Sequence, residues 1–346
     1  MRVLLTGSDG YLGSLAAPVL AAAGHKVVGL DTGFYRAGWL YEPGHDQIPV
    51  VTKDLREITE ADLEGFDAIV HMAELSNDPL GQLDPGLTHE INHRATIRMA
   101  TLAKARGVTR LVYLSSCSVY GVADHDVDET GATAPQTAYA ECKLLVEGDL
   151  HALADDDFHP TALRNATAFG ASPRMRMDIV LNNLCGRAQV DGRIQMTSDG
   201  TPWRPLVHGL DIAKAIRCAL DADPAVVHDE VFNVGSNAQN YRVREIAEIV
   251  AAEFPGCDLL LGDSGGDNRS YRVDFTKIHE RLPGFGCDWD AAAGAHQLAT
   301  LYRAIDLTRD DLEGHRYVRL HALERLRRLG RLDDRLFWTG GPRIDG

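Results

Sequence analysis

The sequence predicts an α/β protein built on a doubly wound parallel sheet, with a smaller α/β lobe attached to it. Three observations favour this class. Short apolar runs alternate with helical patterns through the first half of the chain. The chain opens with a strand, which is followed by a glycine-rich turn and an alanine-rich helix, and the regular alternation is lost in the second half. Candidate strands are Val3–Thr6, Val27–Leu30, Ala68–His71, Leu111–Ser115 and Thr161–Arg164, and the longest candidate helices are Ile91–Arg106 and Ala138–Leu153.

The glycine-rich turn indicates a dinucleotide site. Gly7, Gly10 and Gly13 lie between the first strand and the first helix. Glycines at this spacing allow a tight turn, a close approach of backbone to a pyrophosphate and close packing of helix on strand, while the helix N-terminus favours phosphate charge. Asp31 ends the second strand. A carboxylate there accepts hydrogen bonds from a ribose 2′-hydroxyl and repels a 2′-phosphate, so the motif favours NAD over NADP.

Tyr139 and Lys143 indicate a proton-transfer site. They are four residues apart in a predicted helix, so their side chains lie on one face. A tyrosine is a poor base at neutral pH because its reference pKa is about 10, but an adjacent ammonium favours the phenolate. The pair can therefore exchange a proton with a substrate hydroxyl. This four-residue spacing is common by chance. It indicates an active site here because the same chain has the glycine turn and a strand that ends in the hydroxyls of Ser115 and Ser116.

Composition and charge restrict the class of protein. The chain has 346 residues and a formal net charge of −15, which disfavours nucleic acid as a partner. Six cysteines are scattered without a Cys-x-x-Cys pair, which favours a reducing cytoplasm over a disulfide framework or structural zinc. No apolar run approaches the ~18 residues that a membrane helix needs, and the first strand leaves no room for a signal peptide. We therefore expect a cytoplasmic protein without membrane or nucleic-acid partners.

The pattern divides the chain into two lobes and a tail. Residues 1–166, with about 206–235, are assigned to the nucleotide-binding domain. Residues 167–205 and 236–305, with loops rich in Arg, Gly and Pro, are assigned to a substrate-binding lobe. Residues 306–346 form a C-terminal helical tail with a basic, leucine-spaced segment, and no chemistry is assigned to it.

Together these motifs resemble a known family. The sequence is similar to the extended short-chain dehydrogenase/reductases, and within them to the NAD-dependent nucleotide-sugar epimerase/dehydratase family, whose members include UDP-glucose 4-epimerases. The resemblance runs from residue 1 to about residue 289 and implies a Rossmann-type doubly wound parallel sheet, NAD as cofactor and a homodimer. It rests on the glycine loop, Asp31, Asp54-Leu55, His71-Met-Ala73, Ser115-Ser-Cys-Ser-Val-Tyr-Gly121 and Tyr139-x-x-x-Lys143.

The resemblance also implies roles for individual residues. Ser116 would hydrogen-bond the reacting sugar oxygen, Tyr139 would transfer the proton, and Lys143 would hold the nicotinamide ribose. Arginines would bind the substrate diphosphate, because a guanidinium is permanently charged and can bind phosphate oxygens in pairs. The implied NAD contacts are Gly7, Gly10, Tyr11, Leu12, Gly13, Asp31, Thr32, Asp54, Leu55, Met72, Ala73, Tyr139 and Lys143. The implied contacts to a nucleoside-diphosphate sugar are Glu74, Ser116, Thr167, Asn183, Arg204, Arg269 and Arg272.

Departures from the family pattern bear on the reaction. The sugar 4,6-dehydratases have an Asp-Glu pair where this chain has Cys117 and Ser118, and neither is a good acid at neutral pH, so dehydration by the usual route is disfavoured. Thr167 replaces a substrate-contacting Asn, and Leu206 replaces an aromatic residue. Glu74 stands where the family usually has Ala or Gly. Three roles are open for it: a substrate contact, an acid/base group or a loop carboxylate. These changes disfavour standard UDP-glucose or UDP-galactose as substrate.

A metal site is not expected, although one segment matches a zinc signature. His89-Glu-Ile-Asn-His93 is a literal His-Glu-x-x-His sequence on a probable helix. The further Gly and His of the longer zinc-protease form are absent, and no glutamate follows between Glu90 and Glu129. The same segment fits a helix start of the family through Asn92 and Thr96.

The sequence leaves two enzyme functions open. The first is a non-reducing epimerase of a nucleotide-activated sugar, in which Tyr139 takes a hydroxyl proton, NAD⁺ takes the hydride, the keto intermediate turns over and the hydride returns to its opposite face. The second is a ketoreductase or dehydrogenase of a nucleotide sugar that uses the same three residues. A binding protein without catalysis is disfavoured, because Ser116, Tyr139 and Lys143 are all present.

Overall fold

A seven-stranded parallel sheet lies at the centre of the molecule. The computed structural model describes residues 1–36, 38–43, 47–76, 84–263 and 269–341. Its strands are β1 Arg2–Thr6, β2 Lys26–Asp31, β3 Val50–Thr52, β4 Ala68–His71, β5 Arg110–Ser116, β6 Val122–Val127, β7 His159–Asn165, β8 Thr167–Phe169, β9 Arg193–Gln195, β10 Trp203–His208, β11 Glu230–Val234, β12 Asn240–Arg242, β13 Asp258–Leu260 and β14 Ser270–Val273. The central sheet has the order β11-β7-β5-β4-β1-β2-β3, with every pair parallel. All five predicted strands are present in it, and the predicted α/β class is confirmed.

Helices cover both faces of this sheet. The predicted helix Ala138–Leu153 is present with those bounds, whereas the predicted helix Ile91–Arg106 is a π-helix, His89–Arg94, followed by an α-helix. The α-helices are α1 Gly13–Ala22, α2 Pro85–Thr88, α3 Ala95–Ala105, α4 Ala138–Leu153, α5 Val180–Asp191, α6 Gly209–Asp221, α7 Pro224–Val227, α8 Val243–Glu253, α9 Thr276–Arg281, α10 Ala291–Ala304, α11 Arg309–Glu313 and α12 Arg319–Arg328. Short 3₁₀ turns occur at Leu55–Glu57, Glu60–Leu63, Cys117–Tyr120 and Asn237–Gln239.

The apolar run of β1 explains why two helical layers form. Successive side chains of a strand point to opposite faces. Val3 and Leu5 pack into the apolar cluster that includes α1 and α6, and Leu4 packs into the cluster that includes α3 and α4. A strand that is apolar on both faces is stable only when both are covered, so this sequence favours an internal strand of a parallel sheet.

The order of the strands locates a binding crevice. From β1 the chain first adds β2 and β3 on one side, and then adds β4, β5, β7 and β11 on the other. The reversal occurs between β1 and β4, and ligands of such sheets bind beyond the carboxyl ends of the strands at this point. The glycine loop follows β1 directly, so it lies at this crevice.

A second apolar cluster lies beyond the crevice and belongs to the smaller lobe. It contains buried residues of α5, α8 and α10. β10 pairs with β8 in parallel and with β12 in antiparallel orientation. β10 spans residue 206, where the predicted domain boundary falls, and β11 returns to the central sheet within the predicted segment 206–235. The domain boundaries themselves stay a prediction.

A buried ion pair fixes α4 to the sheet. Arg164 of β7 donates from Nη2 to Glu147 Oε2 at 2.7 Å and from Nε to both carboxylate oxygens at 3.1 Å. Each side chain is 6% exposed. Ser115 also donates to Glu147. Since α4 contains the predicted catalytic pair, this contact sets where that pair lies relative to the strand ends.

Glu147→Ala should lower the free energy of unfolding by about 3–5 kcal/mol, because it leaves a buried guanidinium without its carboxylate. Urea denaturation of the purified variant measures this. The control is Glu248→Ala, which removes the i,i+4 pair of Arg244 and Glu248 on the surface of α8 and should cost less than about 0.5 kcal/mol. Equal losses in the two variants would show that the buried pair does not fix α4.

Candidate active site

A cavity of about 1020 Å³ opens at the carboxyl ends of β1, β4 and β5. This volume is at the upper end of the range for ligand sites. Every predicted NAD contact lines the cavity, and so do all the predicted sugar contacts except Arg272. The central sheet forms one side of the cavity, and segments of the smaller lobe and the C-terminal tail form the other.

The glycine loop has the geometry that a dinucleotide needs. Gly7 has φ +75°, which a side chain would strain, and a Cβ on Gly13 would lie 2.2 Å from the Gly7 carbonyl oxygen. A Cβ on Gly10 would have only the Gly7 carbonyl oxygen near it, at 3.1 Å, so this position faces open space. α1 begins without a side-chain cap, and the positive end of its dipole there favours a phosphate. The loop therefore fits a pyrophosphate at Gly10.

Asp31 is held rigidly at the end of β2. Its carboxylate accepts hydrogen bonds from the backbone N–H of Gly33 at 2.8 Å and of Asp9 at 3.0 Å. Burial and the nearby Asp9 carboxylate raise the pKa of Asp31 to about 6. Each carboxylate oxygen keeps acceptor capacity for a ribose hydroxyl. Asp54, by contrast, pairs with Arg56 at 2.7 Å, so its carboxylate fixes the turn that follows β3.

The three predicted catalytic residues meet where β5 ends and α4 begins. Thr137 caps α4 by accepting from the Ala140 N–H at 3.2 Å, which places Tyr139 in the first turn. Lys143 lies one turn later, with Nζ 5.3 Å from the centre of the Tyr139 ring. Ser116 ends β5, and its Oγ accepts from the Ser118 N–H at 3.1 Å. The tyrosine, lysine and serine all line the cavity.

Glu74 is directed at Lys143. Its side chain is 2% exposed and forms an ion pair with the ammonium group of Lys143, which is 4% exposed. Tyr113 donates to the other carboxylate oxygen at 2.8 Å. Lys143 also donates to the Leu114 carbonyl oxygen, so one of its three N–H groups remains for a ligand hydroxyl. Glu74 therefore lines the cavity and positions Lys143, and its contact with a sugar stays a prediction.

The surroundings of this pair keep Lys143 charged. Burial by itself would lower the pKa of Lys143, but the attraction of Glu74 and Tyr139 outweighs it and raises the pKa overall. Burial raises the pKa of Glu74, which the Lys143 ammonium opposes. His71 lies nearby between Thr6 Oγ1 at 2.7 Å and Thr96 Oγ1 at 2.8 Å. Burial and the charge of Lys143 lower its pKa to about 3, so His71 is neutral.

Two polar atoms of the cavity wall are available to a ligand. Ser118 Oγ and Asn165 Oδ1 are buried and have no hydrogen-bond partner among the described residues. The Asn165 amide nitrogen is held by the carbonyl oxygens of Ser115 and Leu163, both at 3.1 Å. Buried polar atoms nearly always have a partner, so these two fit the hydroxyl groups of a bound sugar. The sequence alone indicates Ser118 only as a poor acid and assigns no role to Asn165. The position of Asn165 at the carboxyl end of β7 is the signal that identifies it.

Arginines from the smaller lobe reach the cavity, but Arg272 does not. Arg204 and Arg269 line it, and Arg204 donates to the Trp203 carbonyl oxygen at 2.8 Å and to the Arg269 carbonyl oxygen. Arg272 pairs with Asp126 at 2.6 Å and is 41% exposed, so its predicted place in the site is wrong. The reason is the alternation of β14, in which neighbouring side chains face opposite sides. Arg176 and Arg319 also line the cavity and were not predicted.

The remaining predicted sugar contacts have different surroundings. Thr167 and Asn183 line the cavity, and the Asn183 amide donates to the Met177 carbonyl oxygen at 2.8 Å. Leu206 is fully buried in β10 and does not line the cavity. Its difference from the family pattern therefore affects packing of the smaller lobe and does not change a direct substrate contact.

The residues of the zinc-like signature are engaged in separate ion pairs. His93 contacts Asp149 at 2.6 Å, His89 contacts Glu141 at 3.5 Å, and Glu90 contacts Arg335 at 2.6 Å. Within the described part of the chain, no three His, Cys, Asp or Glu side chains are grouped as metal ligands, and no helix there has the length and apolar character to cross a membrane.

Comparison with known proteins identifies the family. Residues 3–235 match the family described as "NAD dependent epimerase/dehydratase family". The UDP-glucose 4-epimerase of Lactobacillus helveticus is 30% identical over 309 residues, which cover 82% of this chain and 91% of that protein. The UDP-glucose 4-epimerase of Corynebacterium glutamicum is 29% identical over 269 residues, which cover 72% and 79%. The solved structure of MoeE5 in complex with UDP-glucuronic acid and NAD is 26% identical, with a TM-score of 0.75 over 88% of this chain and 99% of that one.

These findings confirm the predicted family, the Rossmann-type fold class and NAD as cofactor, and they support the predicted class of nucleotide-sugar epimerases. The chain belongs to the NAD-dependent epimerase/dehydratase family.

Proposed function

We propose that this enzyme is a non-reducing epimerase of a nucleoside-diphosphate sugar. The observation that supports it most directly is the convergence of Ser116, Tyr139 and Lys143 on one cavity beside the glycine loop. Cys117 and Ser118 occupy the positions of the acid and base that dehydratases use. The Cys117 thiol is buried and donates to the Arg164 carbonyl oxygen at 3.2 Å, and burial raises its pKa, so it cannot act as an acid/base group at neutral pH.

Each residue of the site has a defined part in this proposal. When bound, NAD supplies the acceptor and donor of the hydride. Tyr139 accepts the proton of the sugar hydroxyl and returns it after the keto intermediate has turned over. The charge of Lys143 favours the phenolate of Tyr139, and the remaining N–H of Lys143 binds a ribose hydroxyl. Ser116 hydrogen-bonds the oxygen of the reacting carbon.

The smaller lobe supplies the contacts to the rest of the substrate. Arg204 and Arg269 provide positive charge for the diphosphate, and Asn183 provides an amide. Ser118 Oγ and Asn165 Oδ1 offer hydrogen bonds to sugar hydroxyls. The curated relatives that act on UDP-glucose support a UDP-sugar as the first class to test.

We also propose a cytoplasmic homodimer. All six cysteines are free, which supports a reducing compartment. The homodimer rests on the resemblance to the family, whose members pair through helices of the nucleotide-binding lobe.

Purified protein should interconvert epimeric UDP-sugars without an added reductant, because the hydride removed from the sugar returns to it. The assay incubates UDP-glucose, UDP-N-acetylglucosamine and UDP-glucuronic acid separately with the protein and separates the epimers, which have equal mass, by chromatography. Mass identification of nucleotides released on denaturation shows which cofactor and sugar co-purify. Turnover that strictly requires external NADH or NADPH would contradict the epimerase proposal and favour a ketoreductase.

Tyr139→Phe should lower kcat by about 10²–10⁴-fold, because it removes the proton-transfer group while leaving the ring in place. The amount of NAD bound per protein should not change. Tyr241→Phe, on β12 and away from the cavity lining, is the matched control and should keep full activity. Unchanged turnover in Tyr139→Phe would exclude this tyrosine as the acid/base group.

Glu74→Gln should move the acid limb of the pH–rate profile to lower pH by about 1 unit or more. The variant removes the carboxylate that pairs with Lys143, so the ammonium favours the Tyr139 phenolate more strongly, and a change of about 1.4 kcal/mol in that interaction is 1 pKa unit. Other charged or titratable groups around the pair include Glu147, Arg176, Tyr113 and the neutral His71. Tyr113→Phe keeps the charge of Glu74 and should shift the profile much less. A profile that is the same for Glu74→Gln and wild type would show that Glu74 does not act through Lys143.

A further inference from the structure

The C-terminal tail folds back onto the nucleotide-binding half of the cavity. Leu323, Leu332 and Leu336 of the tail are buried in one apolar cluster with Phe34 and Leu75. Phe34 lies three residues past Asp31, and Leu75 follows the strand end that lines the cavity. The sequence assigns no chemical role to the tail. In the structure, the tail packs directly against segments that line the predicted cofactor site.

Polar contacts fix the tail over the loop that follows β2. Trp338 donates from Nε1 to the Thr32 carbonyl oxygen at 2.8 Å, and its ring centre lies 5.7 Å from that of Phe34. Arg56 donates to the Arg335 carbonyl oxygen at 2.8 Å, and its guanidinium lies 3.7 Å from the ring centre of Phe337. The tail therefore contacts both the loop after Asp31 and the turn after β3, which are the two segments expected to hold the adenosine half of NAD.

Arg319, the first residue of α12, is a buried cation in the cavity wall. It is 3% exposed. Its Nη2 donates to the Arg174 carbonyl oxygen at 3.1 Å, and its guanidinium lies 4.3 Å from the ring centre of Tyr35. In the described ranges no carboxylate forms an ion pair with it. Burial lowers its pKa to about 10, which leaves it charged at neutral pH.

An uncompensated buried charge is unfavourable unless a ligand of opposite charge completes the site. Arg176, its neighbour in the same wall, is different because its charge is already balanced by Asp178 at 2.9 Å. In this part of the cavity, Arg319 therefore provides a positive charge, and a bound anion would neutralise it.

The neighbours of Arg319 define which anion lies there. Tyr35, which its guanidinium covers, follows Asp31 at the adenosine-ribose end. Arg176 donates to the carbonyl oxygen of Ser76 at 3.3 Å, and Ser76 follows Ala73 at the nicotinamide end. The two arginines thus lie between the ends of the dinucleotide site, and the group that joins those ends is the pyrophosphate.

We propose that Arg319 binds the pyrophosphate of NAD from the side opposite the glycine loop, so that the C-terminal tail forms part of the cofactor site. The helix N-terminus and Gly10 then contact one side of the pyrophosphate, and a planar, permanently charged donor contacts the other. Because the tail also covers the loop after β2, it encloses the adenosine half of the cofactor and slows its release.

Arg319→Met tests this in protein stripped of nucleotide, with affinities measured by isothermal titration calorimetry. The variant should bind NAD about 10- to 100-fold more weakly than wild type, since a charge-assisted pair of hydrogen bonds is lost. ADP-ribose, which has the pyrophosphate but lacks nicotinamide, should lose affinity by the same factor. Arg325→Met, an exposed arginine on the same helix, is the matched control and should bind both ligands as wild type does.

Two further measurements separate ligand binding from folding and from substrate binding. The melting temperature without nucleotide shows whether Arg319→Met folds, and if it does not, Arg319→Lys is used. Lysine keeps the charge but lacks the planar fork, so NAD should bind several-fold more weakly. Unchanged NAD affinity in a folded variant overturns the proposal. Reduced affinity for UDP together with unchanged affinity for NAD also overturns it, because Arg319 would then belong to the substrate site.

Discussion

The position of α4 depends on two buried ion pairs, and the active site depends on α4. Lys143 pairs with Glu74 beyond the end of β4, and Glu147, one helical turn later, pairs with Arg164 of β7. Removing either partner would leave a buried charge uncompensated, which costs several kcal/mol. The helix therefore cannot rotate or slide along the sheet without losing both pairs. This constraint holds Tyr139 beside the hydroxyl-bearing end of β5, which is the pre-organisation that the proposed proton transfer requires.

The two sides of the cavity are built in different ways. The predicted cofactor side has a glycine loop that places amide groups and a helix start at the carboxyl end of β1. The proposed substrate side is lined by side chains from separate segments, including Asn165 at the end of β7 and Arg204 on β10. Glu74 adds a further difference, since its carboxylate pairs with the Lys143 ammonium.

Much of the fold and of the catalytic set could be predicted because their signals are local. The five predicted strands follow from apolar runs, and α4 follows from its helical pattern. Three departures have non-local causes. Glu74 pairs with a residue of α4, Arg272 faces Asp126 because of the strand pairing of β14 with β6, and Arg319 lies in the wall because the tail folds back. None of these contacts is visible in the sequence near the residue concerned.

The sequence by itself determined the parallel α/β sheet, the glycine turn with Asp31 and the four-residue spacing of Tyr139 and Lys143. Each of these depends on residues within one or two adjacent elements, where backbone geometry fixes the relation between position and direction. Only the tertiary structure decided which carboxylates and arginines meet at the cavity. Those contacts join segments as far apart as Thr32 and Trp338, and their formation depends on how complete layers pack and on which buried charges find a partner.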